Sequence, residues 1–232
     1  MAKKKRTSAP QTSNSPAIDE RVKSCLDSQA TLPPTPVTSL LTTSHVVTIA
    51  KFFTRQECAQ LAQVIDSAPE LSTTKQKRTA EYTYRHNDRL QFESPSIASL
   101  ICSRLKRHPS VSDLLEFMKT TSTDIDVNPN IRLYRYLPSM QFGPHYDEST
   151  QTSNGKTTRW TVLIYLNSLE RGGETNFFLN GDATNTSAQN LLSVPPVEGT
   201  ILLHLHGDDC LLHEGAEVTA GVKYLFRTDL CF

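Results

Sequence analysis

The sequence predicts an α+β protein that is mainly β: short strands packed as a sandwich or jelly roll, buttressed on one outer face by N-terminal helices. Three observations predict this. Beyond residue 130, short β-rich runs follow one another at 131–137, 160–166, 175–179, 200–205 and 224–230. Turn-forming pairs lie between them, namely Asn154-Gly155, Gly172-Gly173 and Asn180-Gly181, a spacing typical of sandwiches and jelly rolls. Helical periodicity is confined to the part before these runs, so helices come first and cover one face of the sheets.

Taken in order, residues 1–44 are rich in Ser, Thr, Pro, Lys and Gln and read as a flexible polar tail. Pro33-Pro34-Thr35-Pro36 is too proline-dense for a helix interior or a central strand. Folding is expected to begin near His45, with Val46-Val47-Thr48-Ile49 as a strand. Thr54 and Glu57 have the spacing of a capping box. Cys58, Leu61, Ala62 and Ile65 then form one apolar helix face. A second helix is expected over about 95–105, through Ile97, Leu100 and Ile101, and a third over about 111–118. Residues 45–129 thus supply a strand and supporting helices to a core at 130–232, as one globular domain. No internal repeat is present.

Composition narrows the function classes. Lys plus Arg (24) equals Asp plus Glu (24), so no net charge draws the chain to nucleic acid or an anionic membrane. No apolar run is long enough for a membrane span. The five cysteines are odd in number and form no C-x-x-C pair, which fits free thiols in a reducing compartment. Lys3-Lys4-Lys5-Arg6 is followed by a polar stretch where a secretory signal needs an apolar one. The basic run fits a nuclear import signal as well as a solvated end, so a cytoplasmic or nuclear location is expected.

The sharpest chemistry lies in Phe142-Gly143-Pro144-His145-Tyr146-Asp147. Residues two apart on a strand share a face, so His145 and Asp147 can reach one ion while Tyr146 faces away. An imidazole and a carboxylate are two thirds of the facial triad of non-haem iron(II) oxygenases. Alone, H-x-D is also what two polar residues beside a turn look like. The third ligand must come from far along the chain. His204, His206 and His213 are candidates, and His213 has an apolar approach and a following Glu214-Gly215.

From about residue 130 onward the chain resembles the catalytic domain of the prolyl 4-hydroxylase-like branch of the iron(II)/2-oxoglutarate-dependent dioxygenases. The resemblance rests on ordered pieces. Arg132-Leu133-Tyr134-Arg135-Tyr136 precedes the H-x-D, and Thr161-Val162-Leu163-Ile164-Tyr165-Leu166-Asn167 matches a T-x-x-x-Y-L-N strand. Gly172-Gly173-Glu174-Thr175 matches a G-G-E-T turn, and Pro195 with Gly199 a P-x-x-x-G. His213-Glu214-Gly215, Val218, Gly221, Lys223-Tyr224 and Arg227-Thr228-Asp229 match the terminal signature. Asn87-Asp88-Arg89 and the following helix are similar, less specifically, to the family's N-terminal support.

The resemblance implies a double-stranded β-helix, with Fe(2+) held by His145, Asp147 and His213. The family's basic anchor lies ten residues after its distal histidine, as Lys223 does after His213. Lys223 is thereby implied to hold the 5-carboxylate of 2-oxoglutarate, which could not be buried unpaired. Tyr136 matches the tyrosine that helps bind this co-substrate, and Thr161 its hydroxyl partner. Tyr165 shares the Thr161 face and reads as either pocket lining or core; Trp160 faces the other way and reads as structural.

The implied reaction is C–H hydroxylation with O2, coupled to decarboxylation of 2-oxoglutarate to succinate and CO2, with ascorbate a family expectation. Asp147 argues against a halogenase, because chloride takes the position of the carboxylate. A peptidyl proline is the expected substrate. A free amino acid or small metabolite, or a non-catalytic binding module, are the alternatives. No separate peptide-binding domain is visible, so collagen is not expected. The polar loop at 148–158 follows the ligands directly and could close over a peptide.

Overall fold

The computed structural model describes residues 16–33, 35–39, 46–79, 82–121, 125–152, 155–179 and 189–232. Its first half runs through α1 (Pro16–Ser24), β1 (Val37–Ser39), β2 (Val46–Ile49), α2 (Arg55–Asp66), β3 (Ser72–Gln76), β4 (Arg85–Glu93), α3 (Pro95–Arg107) and α4 (Val111–Met118). The second half is β5 (Asp126–Val127), β6 (Asn130–Tyr136), β7 (Gln141–His145), β8 (Thr158–Tyr165), β9 (Thr175–Leu179), β10 (Gln189–Val194), β11 (Ile201–Leu205), β12 (Leu212–Gly215) and β13 (Lys223–Cys231).

The strands form one antiparallel sheet in the order β1-β2-β11-β8-β13-β6-β4-β7-β12-β9-β10, with β3 added to β4 and β5 to β13. β4 pairs with β6 along most of its length and with β7 only through Arg85 and His86. There the sheet curls, so that β7, β12, β9 and β10 fold over the larger part as the second leaf of a jelly roll.

Alternation along the strands separates two faces. Leu133, Val162, Ile164, Leu203 and Phe226 belong to a core shared with the helices through Leu61, Ile65, Ile97 and Ile101. The opposite, concave face carries Tyr134, Tyr136, Leu163, Tyr165, Leu202 and Leu225, packed with Phe177 of the second leaf. The concave face is where the chemistry sits.

The helices form for the reasons read from sequence. Thr54 caps α2 and Glu57 reaches back to the Thr54 N–H, closing the capping box. Ser94 caps α3, with Pro95 in its first turn. Glu57 is also the partner of Arg104, 2 % exposed, whose two Nη groups donate to its carboxylate at 2.6 and 3.0 Å. Gly199 has φ +75°, and a Cβ there would stand 2.4 Å from the Phe53 carbonyl oxygen, so the turn into β11 requires glycine.

One expectation is corrected. Residues 16–33 are no flexible tail: Ile18 and Val22 on α1 are fully buried, and Leu26 and Leu32 join the same core. Polar groups seal it, since Asp27 N–H donates to Glu57 at 2.9 Å and Arg104 donates to the Asp27 carbonyl at 2.5 Å. A short apolar stripe in a polar composition found its cover on α2 and α3. Residues 1–15, with the Lys3–Arg6 basic run, lie outside the described residues.

In the 148–158 segment, residues 148–152 and 155–158 are described, and they are tied together by backbone hydrogen bonds leading into β8. Thr158 N–H donates to Thr150 O at 2.9 Å and Thr152 N–H to Lys156 O at 2.8 Å. Asn154, like the Asn180-Gly181 turn, lies outside the described residues. No helix among the described residues is long and apolar enough to cross a membrane.

Candidate metal centre

His145 ends β7, Asp147 follows two residues on, and His213 sits on β12 directly opposite His145 in the antiparallel register. Facing positions on paired strands point the same way, which brings residues 68 apart in sequence onto one spot. His145 Nε2 lies 3.8 Å from Asp147 Oδ1, and His213 Nε2 lies 3.7 Å from Asp147 Oδ2. One ligand atom from each of the three residues lies within 4.8 Å of the others.

The backbone sets the imidazoles. Nδ1 of His145 faces the Gly143 carbonyl at 2.8 Å, and Nδ1 of His213 faces the Leu211 carbonyl at 2.9 Å. Each Nδ1–H therefore donates to a carbonyl, leaving the Nε2 lone pairs to converge. Asp147 Oδ2 accepts from the Thr161 hydroxyl at 2.6 Å and from Arg227 Nη2 at 2.7 Å. Oδ1 is left facing His145. Two imidazole nitrogens and one carboxylate oxygen on one side of a point fit a ferrous ion, with other positions open for small ligands.

Electrostatics agree with the geometry. Burial would raise the Asp147 carboxyl, but Arg227 and His213 hold it well below the usual carboxylate range. Burial pushes His145 down to about 3, with His213 adding to the effect. Burial also works on His213, yet the Asp147 and Cys210 contacts outweigh it and lift that imidazole to about 9. The proton on His213 is the one a bound cation would displace.

Of the other histidine candidates, His206 is occupied elsewhere: its Nε2 lies 2.7 Å from the Thr161 hydroxyl. Since Thr161 donates to Asp147, His206 Nε2–H donates to Thr161, and a His206–Thr161–Asp147 chain orients the carboxylate. His204 is closer to the centre than the sequence indicated. Its Nε2 is 3.7 Å from Asp147 Oδ2, its ring centroid 4.3 Å from that of His213, and its Nε2 has no hydrogen-bond partner among the described residues. His204, Cys210 and His213 form a second set of convergent ligand atoms sharing His213.

Lys223 begins β13 opposite Tyr136 of β6 and is 2 % exposed. Its Nζ is 5.6 Å from the ring centroids of both Tyr136 and Tyr165. Burial depresses the ammonium to about 8, with Glu174 working against the shift. Gly173, with φ +74°, leaves room beside this side chain: a Cβ there would stand 3.3 Å from Lys223 Cδ. Lys223, Tyr136, Leu163 and Thr175 line the same chamber as His145, Asp147 and His213. Tyr165 closes its hydroxyl onto Thr175 at 2.8 Å. Trp160 faces the helices and packs on Phe117. Thr161 lines this chamber too; it stands opposite Asp229 and His204 rather than Tyr136, and its hydroxyl meets Asp147 and His206.

A family model described as the 2OG-Fe(II) oxygenase superfamily matches residues 131–228. Prolyl 4-hydroxylase 1 of Arabidopsis thaliana is 24 % identical over 194 residues, covering 78 % of this chain and 66 % of its own length. The chain spans about two thirds of that curated relative, and only 42 % of a probable prolyl 4-hydroxylase 10 of the same organism. Among solved structures, a Pseudomonas putida prolyl-4-hydroxylase superposes with a TM-score of 0.55 at 15 % identity, over 94 % of this chain and 100 % of that one. The viral collagen prolyl hydroxylase of Paramecium Bursaria Chlorella virus-1 gives 0.54 at 19 %, over 81 % and 96 %. The matched segment runs from the strand before the H-x-D to the strand that carries Lys223, so over residues 131–228 the chain is similar to the 2OG-Fe(II) oxygenase superfamily, and its relatives are prolyl 4-hydroxylases.

Proposed function

We propose that this chain is an iron(II)- and 2-oxoglutarate-dependent dioxygenase that hydroxylates an unactivated C–H bond, with a peptidyl proline as substrate and succinate and CO2 as co-products. One observation carries the reading: the His145–Asp147–His213 cluster and the buried Lys223 line a single chamber. Iron(II) bound there with 2-oxoglutarate supplies the O2 activation that no side chain offers.

The residues divide the remaining work. His145, Asp147 and His213 hold the metal on one side. Thr161 and Arg227 fix the Asp147 carboxylate, and the Gly143 and Leu211 carbonyls fix the imidazoles. Lys223 pairs with the far carboxylate of the co-substrate, and the Tyr136 and Tyr165 rings keep water from the pair. A carboxylate arriving beside Lys223 restores the charge that burial disfavours, so the site selects a dicarboxylate over a monocarboxylate.

The prolyl-peptide assignment is supported by the names of the relatives and by Tyr82 and Tyr146. These are 51 % and 47 % exposed and line the outer cavity beside the metal ligands, as aromatic faces suited to a pyrrolidine ring. The test is succinate release from 2-oxoglutarate, with iron(II) and ascorbate present, against proline-containing peptides and a panel of free amino acids and small metabolites. Release stimulated by peptides supports the assignment. Stimulation only by small metabolites replaces it with the same chemistry on a free amino acid or metabolite.

A further inference from the structure

Beyond the metal ligands the chamber opens into a cavity of about 470 Å³ lined by four arginines, Arg85, Arg89, Arg132 and Arg227. Strand register explains their meeting. Arg89 faces Tyr134 across β4 and β6, Arg132 faces Arg227 across β6 and β13, and Arg85 lies two turns of alternation from Arg89 on the same side. The acidic groups lining the cavity are Asp147, Asp229 and Glu148. Asp147 is committed to Arg227 and the metal, Asp229 accepts from Arg132, and Glu148 is exposed to solvent. Arg85 is turned onto Asn87 and the Phe142 ring, and Arg89 onto Gln91, both neutral partners.

Positive charge is thus in excess where a substrate must lie. The Nε atoms of Arg89, Arg132 and Arg227 are buried without a hydrogen-bond partner among the described residues. Each lone buried donor of this kind costs free energy that a ligand can recover. Asp229 Oδ1 is unpartnered in the same region, 3.9 Å from Arg227 Nε and 3.8 Å from His206 Nε2, so part of the field is already answered. The surplus still registers on Tyr134: burial would raise its phenol, yet Arg85, Arg132, Arg89 and Arg227 together bring it down to about 7.

We propose that the prime substrate carries a carboxylate, and that Arg89 and Arg132 bind it on the solvent side of the metal ligands. The inference rests on the oxygenase reading and narrows it. The carboxylate is either an acidic side chain next to the target residue of a peptide or the α-carboxylate of a free amino acid. This subsite is separate from Lys223, which serves the co-substrate at the opposite end of the chamber.

The experiment uses the full chain loaded with manganese(II) and 2-oxoglutarate under anaerobic conditions, with binding read by calorimetry. One arm compares proline peptides flanked by glutamate or by glutamine; the other compares L-proline with L-prolinamide. Charge-assisted hydrogen bonds predict that the acid of at least one pair binds about tenfold or more tightly than its amide. The arm that shows it names the source. Arg89→Gln and Arg132→Gln should erase that ratio while leaving amide binding and the 2-oxoglutarate Kd unchanged, and Arg89→Lys should restore part of it. Equal binding of acid and amide, no binding in either arm, or equal loss for both in the Gln variants, overturns the subsite. Failure of the oxygenase reading shows separately, as absence of iron-dependent succinate release.

Discussion

Replacing any of His145, Asp147 or His213 by alanine should remove iron-dependent succinate release, reducing it by about 10³-fold or more, as expected when a metal that carries the chemistry loses one of its ligands. Iron content per chain should fall in parallel. His206→Ala separates holding the metal from aiming it. It removes only the outer end of the Thr161–Asp147 chain, so it should keep iron stoichiometry and lower turnover about 10- to 100-fold. Full loss of iron in His206→Ala with retention in His213→Ala would reverse the ligand assignment.

Lys223 carries a second prediction, in which function and stability oppose each other. Burial brings its ammonium down to about 8 in the folded chain from an ordinary 10.5, so the unfolded chain binds more protons between those pH values. Stability should therefore rise as pH climbs from about 8 to 10.5, and below that window the buried charge costs on the order of 3 kcal/mol. Lys223→Met should be more stable than the parent at pH 7 without ligand, should lack the rise above pH 8, and should lose 2-oxoglutarate binding. Urea unfolding at pH 7 and 9.5, with a co-substrate titration, reads all three. Order and spacing named Lys223 and the three candidate ligands, which the fold brings to one chamber. Thr161 also lines that chamber, but the Asp147 and His206 partners of its hydroxyl are set by cross-strand register, which is not written in a single strand.

At the scale of elements, Glu57 joins three segments. It caps α2, accepts the Asp27 N–H that follows α1, and receives both Nη groups of Arg104 on α3. Arg104→Met should cost about 3–5 kcal/mol, because it leaves a buried carboxylate without its cation. Pairing it with Glu57→Gln should recover part of the loss, which chemical denaturation of the single and double variants will show. The capping box was readable because its residues lie three apart. Arg104 is separated by 47 positions and had no local signature. The same limit hid α1, whose fully buried Ile18 and Val22 form an apolar stripe one turn wide. Ile18→Ala should destabilise by about 2–5 kcal/mol, whereas a tail residue would cost nothing measurable.

Across the whole molecule, the two leaves of the roll meet along few hydrogen bonds, through Arg85 and His86 of β4 against β7. The candidate metal ligands lie on β7, just after it and on β12, while Lys223 belongs to β13 on the larger leaf. Metal and co-substrate should therefore stabilise the fold together more than either does alone. With both at about 100 times their Kd, each site contributes up to about 2.7 kcal/mol, seen as a rise in Tm. His213→Ala should abolish the metal-dependent part of that rise, measured against the variant's own ligand-free Tm, which should be lower than the parent's because a buried imidazole paired with Asp147 is lost.

By itself, the sequence determined the mainly β architecture, the positions of the principal helices and strands, and the candidate ligands with their anchor. Each of these rests on a short-range period, cap or ordered motif. Tertiary structure alone decided that α1 belongs to the core, that His204 sits at the metal centre, and that arginines from β4, β6 and β13 share one cavity. The physical reason is the same in each case: these contacts join residues tens of positions apart through antiparallel register and the curl of the sheet, and no local pattern encodes either.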